Sequence, residues 1–124
     1  MREELEEKLF RDFPSFFRDR DNLQISLMGF GFTCGGGWYD LIYQLCSDIK
    51  KLVDKDPLLE DFRVEQVKEK LGGLRFYTSP ATEEVFLLIQ EAERKSYTIC
   101  EECGREGKLA RSRRGWYKTT GITI

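Results

Sequence analysis

The chain has 124 residues, of which 40% are apolar and 34% charged, and its formal net charge is −2. A domain of this size buries roughly two-thirds of its unfolded surface, so the composition predicts one soluble folded unit and excludes a chain that is disordered throughout. The sequence contains no histidine. Catalytic triads, Cys–His dyads and histidine-based zinc proteases are therefore excluded, because each of them needs an imidazole.

The sequence predicts a cytoplasmic location without membrane contact. No stretch approaches the roughly 18 to 20 consecutive apolar residues that cross a bilayer, and the chain starts with an acidic segment rather than a basic one followed by an apolar run. Thiols in the cytoplasm are kept reduced. A closely spaced pair among the four cysteines is therefore expected to bind metal or do redox work rather than form a disulfide.

The first third of the sequence predicts a helix, an aromatic cluster and a strand. Residues 2–12 are rich in helix formers and precede Pro14, which ends a helix. The alternation of Leu23, Ile25 and Leu27 predicts a strand over residues 23–30. Four aromatic side chains lie close together at the end of the predicted helix and just after it: Phe10, Phe13, Phe16 and Phe17. We expect them to hold the N-terminal segment on the core, with an exposed partner surface as the alternative.

A glycine-rich loop and a long helix follow. The loop matches neither the dinucleotide nor the Walker phosphate template, so we expect it to allow a sharp turn and close packing of Trp38. Apolar residues then recur every three or four positions up to Val53, which predicts a helix that ends before Pro57.

The next stretch predicts a hairpin and another helix. Residues 62–69 and 74–78 form the two strands, with a bulge indicated by the spacing of Val64 and Val67, and Ser79 is expected to cap the helix. The predicted fold is a small α+β single domain in which a strand and a hairpin form a short antiparallel sheet packed by two long helices. Its body, with the N-terminal helix, covers residues 1–97, and a knuckle-like cysteine turn with a basic tail covers residues 98–124.

The most specific local motif is Cys100-x-x-Cys103 followed by a glycine. Such a turn directs two thiolates toward one point, so both cysteines are candidate zinc ligands. Two thiolates supply half of a tetrahedral site, and Cys34 in the glycine loop is the candidate further ligand. A site shared between two chains, a redox pair and a metal-free turn remain alternatives.

The tail after this motif is basic, since residues 103–124 carry six basic side chains and one acidic side chain. Cations interleaved with aromatic rings can hold phosphates and stack on bases, although a solvated tail is the alternative. For Trp116 we expect a structural role, in which it folds back onto the cysteine turn. The candidate partner-binding residues are Arg111, Arg113, Arg114, Trp116, Tyr117 and Lys118.

Five segments, in order, resemble a family of small, functionally uncharacterised proteins encoded by phages and prophages. These segments are residues 29–32 (GFGF), 37–42 (GWYDLI), 66–77 (QVKEKLGGLRFY), 100–104 (CEECG) and 115–117 (GWY). The resemblance extends over residues 27–118. Members of that family continue past the last segment into a second Cys-x-x-Cys or Cys-x-x-His pair, whereas residues 118–124 of this sequence read KTTGITI.

The lack of a catalytic constellation predicts a non-catalytic binding protein, and the resemblance implies that it is of phage type. Its expected partner is a host protein or a protein–nucleic-acid complex, for example a defence nuclease or another nucleic-acid-handling protein that it inhibits, and direct binding of nucleic acid and a homodimer remain open. One alternative is a metal-dependent enzyme acting on nucleotides or nucleic acid. Its metal-binding residues would be Asp40 and Asp48, which stand about 12 Å apart along one helix. Another alternative is a structural or assembly protein that dimerises through the phenylalanine-rich segment.

Overall fold

The computed structural model describes residues 1–112 and 115–121. Within them the chain forms three α-helices, a three-stranded sheet and a separate two-stranded hairpin, which confirms the predicted α+β class. The helices are α1 (Glu3–Asp12), α2 (Tyr39–Val53) and α3 (Glu83–Ser96). The strands are β1 (Phe32–Thr33), β2 (Arg63–Lys70), β3 (Gly73–Ser79), β4 (Gly107–Arg111) and β5 (Tyr117–Gly121).

The main sheet has the order β1-β2-β3 and is mixed rather than wholly antiparallel. Strand β1 runs parallel to β2 and places Phe32 opposite Val67, whereas β2 and β3 form the predicted antiparallel hairpin. The register shifts between Val64 and Gln66. This shift confirms the predicted bulge, because an extra residue in one strand breaks the alternation of its side chains.

The core lies between the sheet and the helices. Trp38 at the entry to α2 is fully buried, as are Ile42 and Ile49 on the apolar stripe of that helix. The rings of Phe13, Phe16 and Phe17 are also buried, and Phe10 packs against the same cluster, so the predicted core role of these aromatics is confirmed. No helix within the two described ranges is long and apolar enough to span a bilayer.

The prediction of a strand over residues 23–30 is wrong. This segment forms turns and a 3₁₀ helix over Met28–Phe30, and the strand begins only at Phe32. The Ser26 hydroxyl accepts a hydrogen bond from the amide of Met28 (3.0 Å), and the amide of Leu27 donates to the carbonyl of Glu65 (2.8 Å). Local side-chain bonding of this kind competes with a strand ladder.

The predicted cap of the third helix is also displaced. The helix begins at Glu83, and the side chain of Thr82 accepts a hydrogen bond from the amide of Val85 (3.3 Å). Thr82 has an extended backbone, which is the conformation of an N-cap residue, so it takes the position that the sequence analysis gave to Ser79.

Candidate functional site

The cysteine turn is a tightly folded segment. The Cys100 amide donates to the carbonyl of Arg105 (2.7 Å), and the Gly104 amide donates to the carbonyl of Cys100 (2.9 Å). Gly104 has a φ of +80°, a conformation that favours glycine because it has no side chain. The turn brings Cys100 and Cys103 near each other, with Cys100 buried and Cys103 exposed.

The environment of Cys100 favours a thiolate. Burial raises the pKa of this thiol, but hydrogen bonds from the amides of Cys103, Glu102 and Gly121 and from the Cys103 thiol outweigh burial, so its pKa lies below the ordinary value. A sulfur that accepts several amide hydrogen bonds is stabilised as an anion. One of these amides, that of Gly121, comes from β5, so the hairpin contributes to the cysteine site.

The other two cysteines lie in different surroundings. Burial, and then the charge of Glu101, raise the pKa of Cys34 to about 12, and burial likewise raises the pKa of Cys46. Across residues 1–112 and 115–121 no group of three or more cysteine or carboxylate side chains is arranged to hold a metal ion. The residues that could hold one are therefore the pair Cys100 and Cys103, and Cys34 is not grouped with them.

The carboxylates named for the enzyme alternative are separate as well. Asp40 is exposed on the first turn of α2. Asp48 accepts a hydrogen bond from Gln44 (3.0 Å) and lies 4.0 Å from the ammonium of Lys51. These contacts are typical of a solvated helix surface.

The glycine loop supports the cysteine turn through backbone and side-chain contacts. The amide of Gly37 donates to the carbonyl of Glu101 (2.7 Å), and the amide of Gly35 donates to the carboxylate of the same residue (2.8 Å). The indole nitrogen of Trp38 donates to the carbonyl of Ile99 (2.9 Å). The loop therefore allows the close packing of Trp38 that its sequence predicted, and Trp38 packs against the segment that carries the cysteine turn.

The hairpin β4–β5 rests on the turn between β2 and β3. The hydroxyl of Thr119, which is completely buried, donates to the carbonyl of Gly72 (2.7 Å), and the carbonyl of Thr119 accepts from the amide of Glu101 (3.1 Å). A β-carbon at Gly72 would overlap the side chain of Leu109. Thr119 thus joins the hairpin both to the cysteine turn and to the main sheet.

The opposite face of the hairpin is exposed and cationic. Lys108 stands opposite Thr120, and Ala110 stands opposite Lys118, so the two lysines are diagonal neighbours on one face. Side chains alternate across a strand, which places this face away from the buried Thr119. The ammonium of Lys118 also contacts the carboxylate of Glu102 (2.6 Å).

An exposed tryptophan marks the tip of the hairpin. Trp116 is 72% exposed, so the expectation that it folds back onto the cysteine turn is wrong. Hydrogen bonds hold its backbone beside Ser112, whose amide donates to the Trp116 carbonyl (2.7 Å) and whose hydroxyl accepts from the Trp116 amide (3.1 Å). The guanidinium of Arg111 lies 5.8 Å from the ring centre of Tyr117, within the range of a cation–π contact.

Of the candidate partner-binding residues, the hairpin carries Arg111 and Tyr117 on one face and Lys118 on the other, with Trp116 at its tip, while Arg113 and Arg114 lie outside the described residues. Two supporting residues, Glu101 and Thr119, are not predicted from the sequence. Both make contacts with residues that are far away in the sequence. The only sequence signal for Glu101 is its position between the two cysteines, and the only signal for Thr119 is its position in a strand-like run.

The fold and site define a small α+β domain that presents a basic hairpin on a cysteine turn. Comparison of the chain with protein-family models, with curated proteins and with solved structures finds no match in any of the three.

Proposed function

We propose that this chain is a non-catalytic binding protein that engages a macromolecular partner through the β4–β5 hairpin. The observation that carries the proposal is the 72% exposure of Trp116 at the hairpin tip. Tryptophan, tyrosine and arginine are enriched among the residues that dominate binding energy, and Arg111 and Tyr117 stand in the cross-strand pair next to Trp116.

The contacts at the base of the hairpin support this proposal. The hydroxyl of Thr119 donates to the main sheet and its carbonyl accepts from Glu101, so Thr119 holds β5 on the body and on the cysteine turn. A recognition element that is held before binding loses less conformational entropy when the partner arrives. The exposed aromatic therefore stands on a supported element rather than on a free tail.

The partner class follows from the sequence resemblance and from the charge. A phage-encoded protein meets the macromolecules of the bacterial cytoplasm, and the excess of basic residues after position 103 favours an acidic partner. We propose a host nucleic-acid-handling protein or its complex with nucleic acid, a defence nuclease being one such target, whose activity the bound chain would inhibit.

We further propose that Cys100 and Cys103 bind Zn²⁺ as two of its four ligands. The proximity of the two cysteines in this turn and the lowered pKa of Cys100 support it, because a bound sulfur must be a thiolate. Bound metal would fix the base of the hairpin, since one amide that contacts Cys100 belongs to Gly121.

The test is capture of partners from a bacterial lysate by the full chain and by two matched variants. Trp116→Ala removes the exposed ring of the hairpin, and Phe30→Ala removes a ring that is 68% exposed on another part of the molecule. The proposal predicts that the unmodified chain and Phe30→Ala retain the same partner and that Trp116→Ala loses it. Equal capture by all three proteins would contradict it.

A further inference from the structure

We infer that the ligand of the β4–β5 hairpin is single-stranded nucleic acid. In this arrangement an unpaired base stacks on Trp116, and Lys108 and Lys118, which share the exposed face of the hairpin, contact phosphates. The inference rests on the proposed function, because it names the chemistry of the partner that the hairpin engages.

The net charge of the sequence segment that contains the hairpin is complementary to a polyanion. Residues 103–124 carry six basic side chains and one acidic side chain, whereas acidic side chains outnumber basic ones in residues 1–102. A nucleic acid is therefore attracted to the hairpin and repelled by the body. Lys108 and Lys118 are diagonal neighbours on the exposed face, with β-carbons about 7–8 Å apart, so both can contact one backbone.

The exposed ring selects a single strand. A base stacks on an aromatic side chain only where its own face is free, and bases inside a duplex are covered by their neighbours. Trp116 is held at the hairpin tip by the two hydrogen bonds to Ser112, and most of its side chain is open to solvent. Stacking of this kind tolerates any base, so we expect little sequence preference.

The surroundings of Trp116 favour nucleic acid over a protein surface. The central aromatic residue of a protein interface is ringed by contacts that exclude water. Among the described residues near Trp116, Ser112 and Gly115 are small, and the ring of Tyr117 lies on the hairpin face opposite Lys118. A flat, solvated ring beside cations matches the platforms on which bases stack.

The experiment measures the fluorescence anisotropy of a labelled oligothymidylate of about 12 nucleotides as the full chain is added. We expect binding at low salt that weakens as salt rises, with a slope of log affinity against log salt concentration of about −1.4 for two phosphate contacts. Trp116→Ala should weaken binding by about five- to hundredfold, and Phe30→Ala should leave it unchanged. Quenching of tryptophan fluorescence reports Trp116, because Trp38 is completely buried.

A second variant tests the cationic face. Glu102 neutralises Lys118 in the free chain through the 2.6 Å contact between their side chains. Glu102→Gln removes this competition, so it should tighten binding of the oligothymidylate by about two- to fivefold, in proportion to the worth of an exposed ion pair. Weaker or unchanged binding would contradict the phosphate role of Lys118.

Three results would overturn the inference: no binding of the oligothymidylate at low salt, equal affinity for a duplex of the same length, or equal affinity for poly-glutamate. The last of these would assign the hairpin to an acidic protein surface. If capture from the lysate still depends on Trp116 in any of these cases, the proposed function stands and only the nucleic-acid inference fails. If Trp116→Ala changes neither measurement, both fail.

Discussion

Gly37 lies where the glycine loop meets the cysteine turn. A β-carbon at this position would overlap the carbonyl oxygen of Cys100 and lie 2.5 Å from the amide nitrogen of Gly104, and both are backbone atoms that cannot rotate away. The neighbouring Gly36 faces only the end of the Leu5 side chain, at 3.2 Å. These two glycines therefore form a matched pair.

We expect Gly37→Ala to lower the free energy of unfolding by about 1–3 kcal/mol, because the added methyl group separates the loop from the turn. Gly36→Ala should change it by less than about 1 kcal/mol, since a flexible leucine can yield and alanine reduces the entropy of the unfolded chain. Urea unfolding measures both variants. An equal loss of unfolding free energy in the two variants would contradict the view that the contact with Cys100 requires glycine at position 37.

Three of the four cysteines, Cys34, Cys46 and Cys103, should differ in reactivity toward iodoacetamide. Cys103 is exposed, whereas Cys34 and Cys46 are buried and have raised pKa values. Because the thiolate is the reacting form, we expect Cys103 to be alkylated in the folded chain and Cys34 and Cys46 only after unfolding. Mass spectrometry of the peptides measures this order.

The same assay tests the zinc proposal. Added Zn²⁺ should protect Cys103, and a chelator should restore its reaction, because a coordinated thiolate is not free to attack. Alkylation of Cys103 at the same rate with and without Zn²⁺ would contradict the proposal that this cysteine is a ligand.

Trp116 illustrates what local sequence cannot decide. A tryptophan beside a cysteine turn is equally suited to a small core and to a binding surface, and the choice depends on the geometry of the hairpin that carries it. The turn that includes Ser112 and Gly115 leaves most of the ring exposed to solvent. Its exposure is therefore a tertiary property, which residue type and spacing do not encode.

At the scale of the elements, the hairpin β4–β5 depends on Thr119. Its hydroxyl makes a buried hydrogen bond to the Gly72 carbonyl, while Thr120 next to it is only half-buried and lies on the other face. Thr119→Val keeps the shape of the side chain but leaves that carbonyl unsatisfied, which costs about 1–3 kcal/mol. Thr120→Val leaves this contact intact.

We therefore expect faster amide hydrogen exchange over residues 107–121 in Thr119→Val than in the unmodified chain, and little change in Thr120→Val. The main sheet should keep its protection in both variants, because its own ladder is unaffected. Uniform loss of protection over the whole chain would contradict the view that Thr119 acts on the hairpin.

The elements differ in how well the sequence predicts them. The helix α2 and the hairpin β2–β3 follow from a long apolar stripe and from alternation around a glycine turn, both of which are local signals. The strand β1 and the hairpin β4–β5 do not follow from local signals of this kind. Leu23, Ile25 and Leu27 alternate as a strand would, yet they are exposed, and Ser26 between them is the buried side chain.

At the scale of the whole molecule, the segment after residue 97 is integrated with the body. Ile99 accepts a hydrogen bond from the buried indole of Trp38, and the glycine loop bonds the backbone of Glu101. Contacts between residues more than 60 positions apart tie the two segments predicted from the sequence into one structural unit. We therefore expect them to unfold together.

Unfolding of Trp116→Phe tests this cooperativity, because Trp38 is then the sole tryptophan and reports the junction with Ile99. Its fluorescence and the far-ultraviolet circular dichroism should give coincident urea transitions, as expected of a two-state domain. A fluorescence transition at lower urea than the loss of helix would show that the junction opens independently.

The central claim is that the hairpin tip contacts the partner, and site-specific photo-crosslinking tests it most directly. A photoreactive phenylalanine analogue replaces Trp116 in one sample and Phe30, which is similarly exposed, in the other. Irradiation in bacterial cells is predicted to give a covalent adduct from position 116 and none from position 30. Adducts from position 30 alone, or from neither position, would contradict the claim.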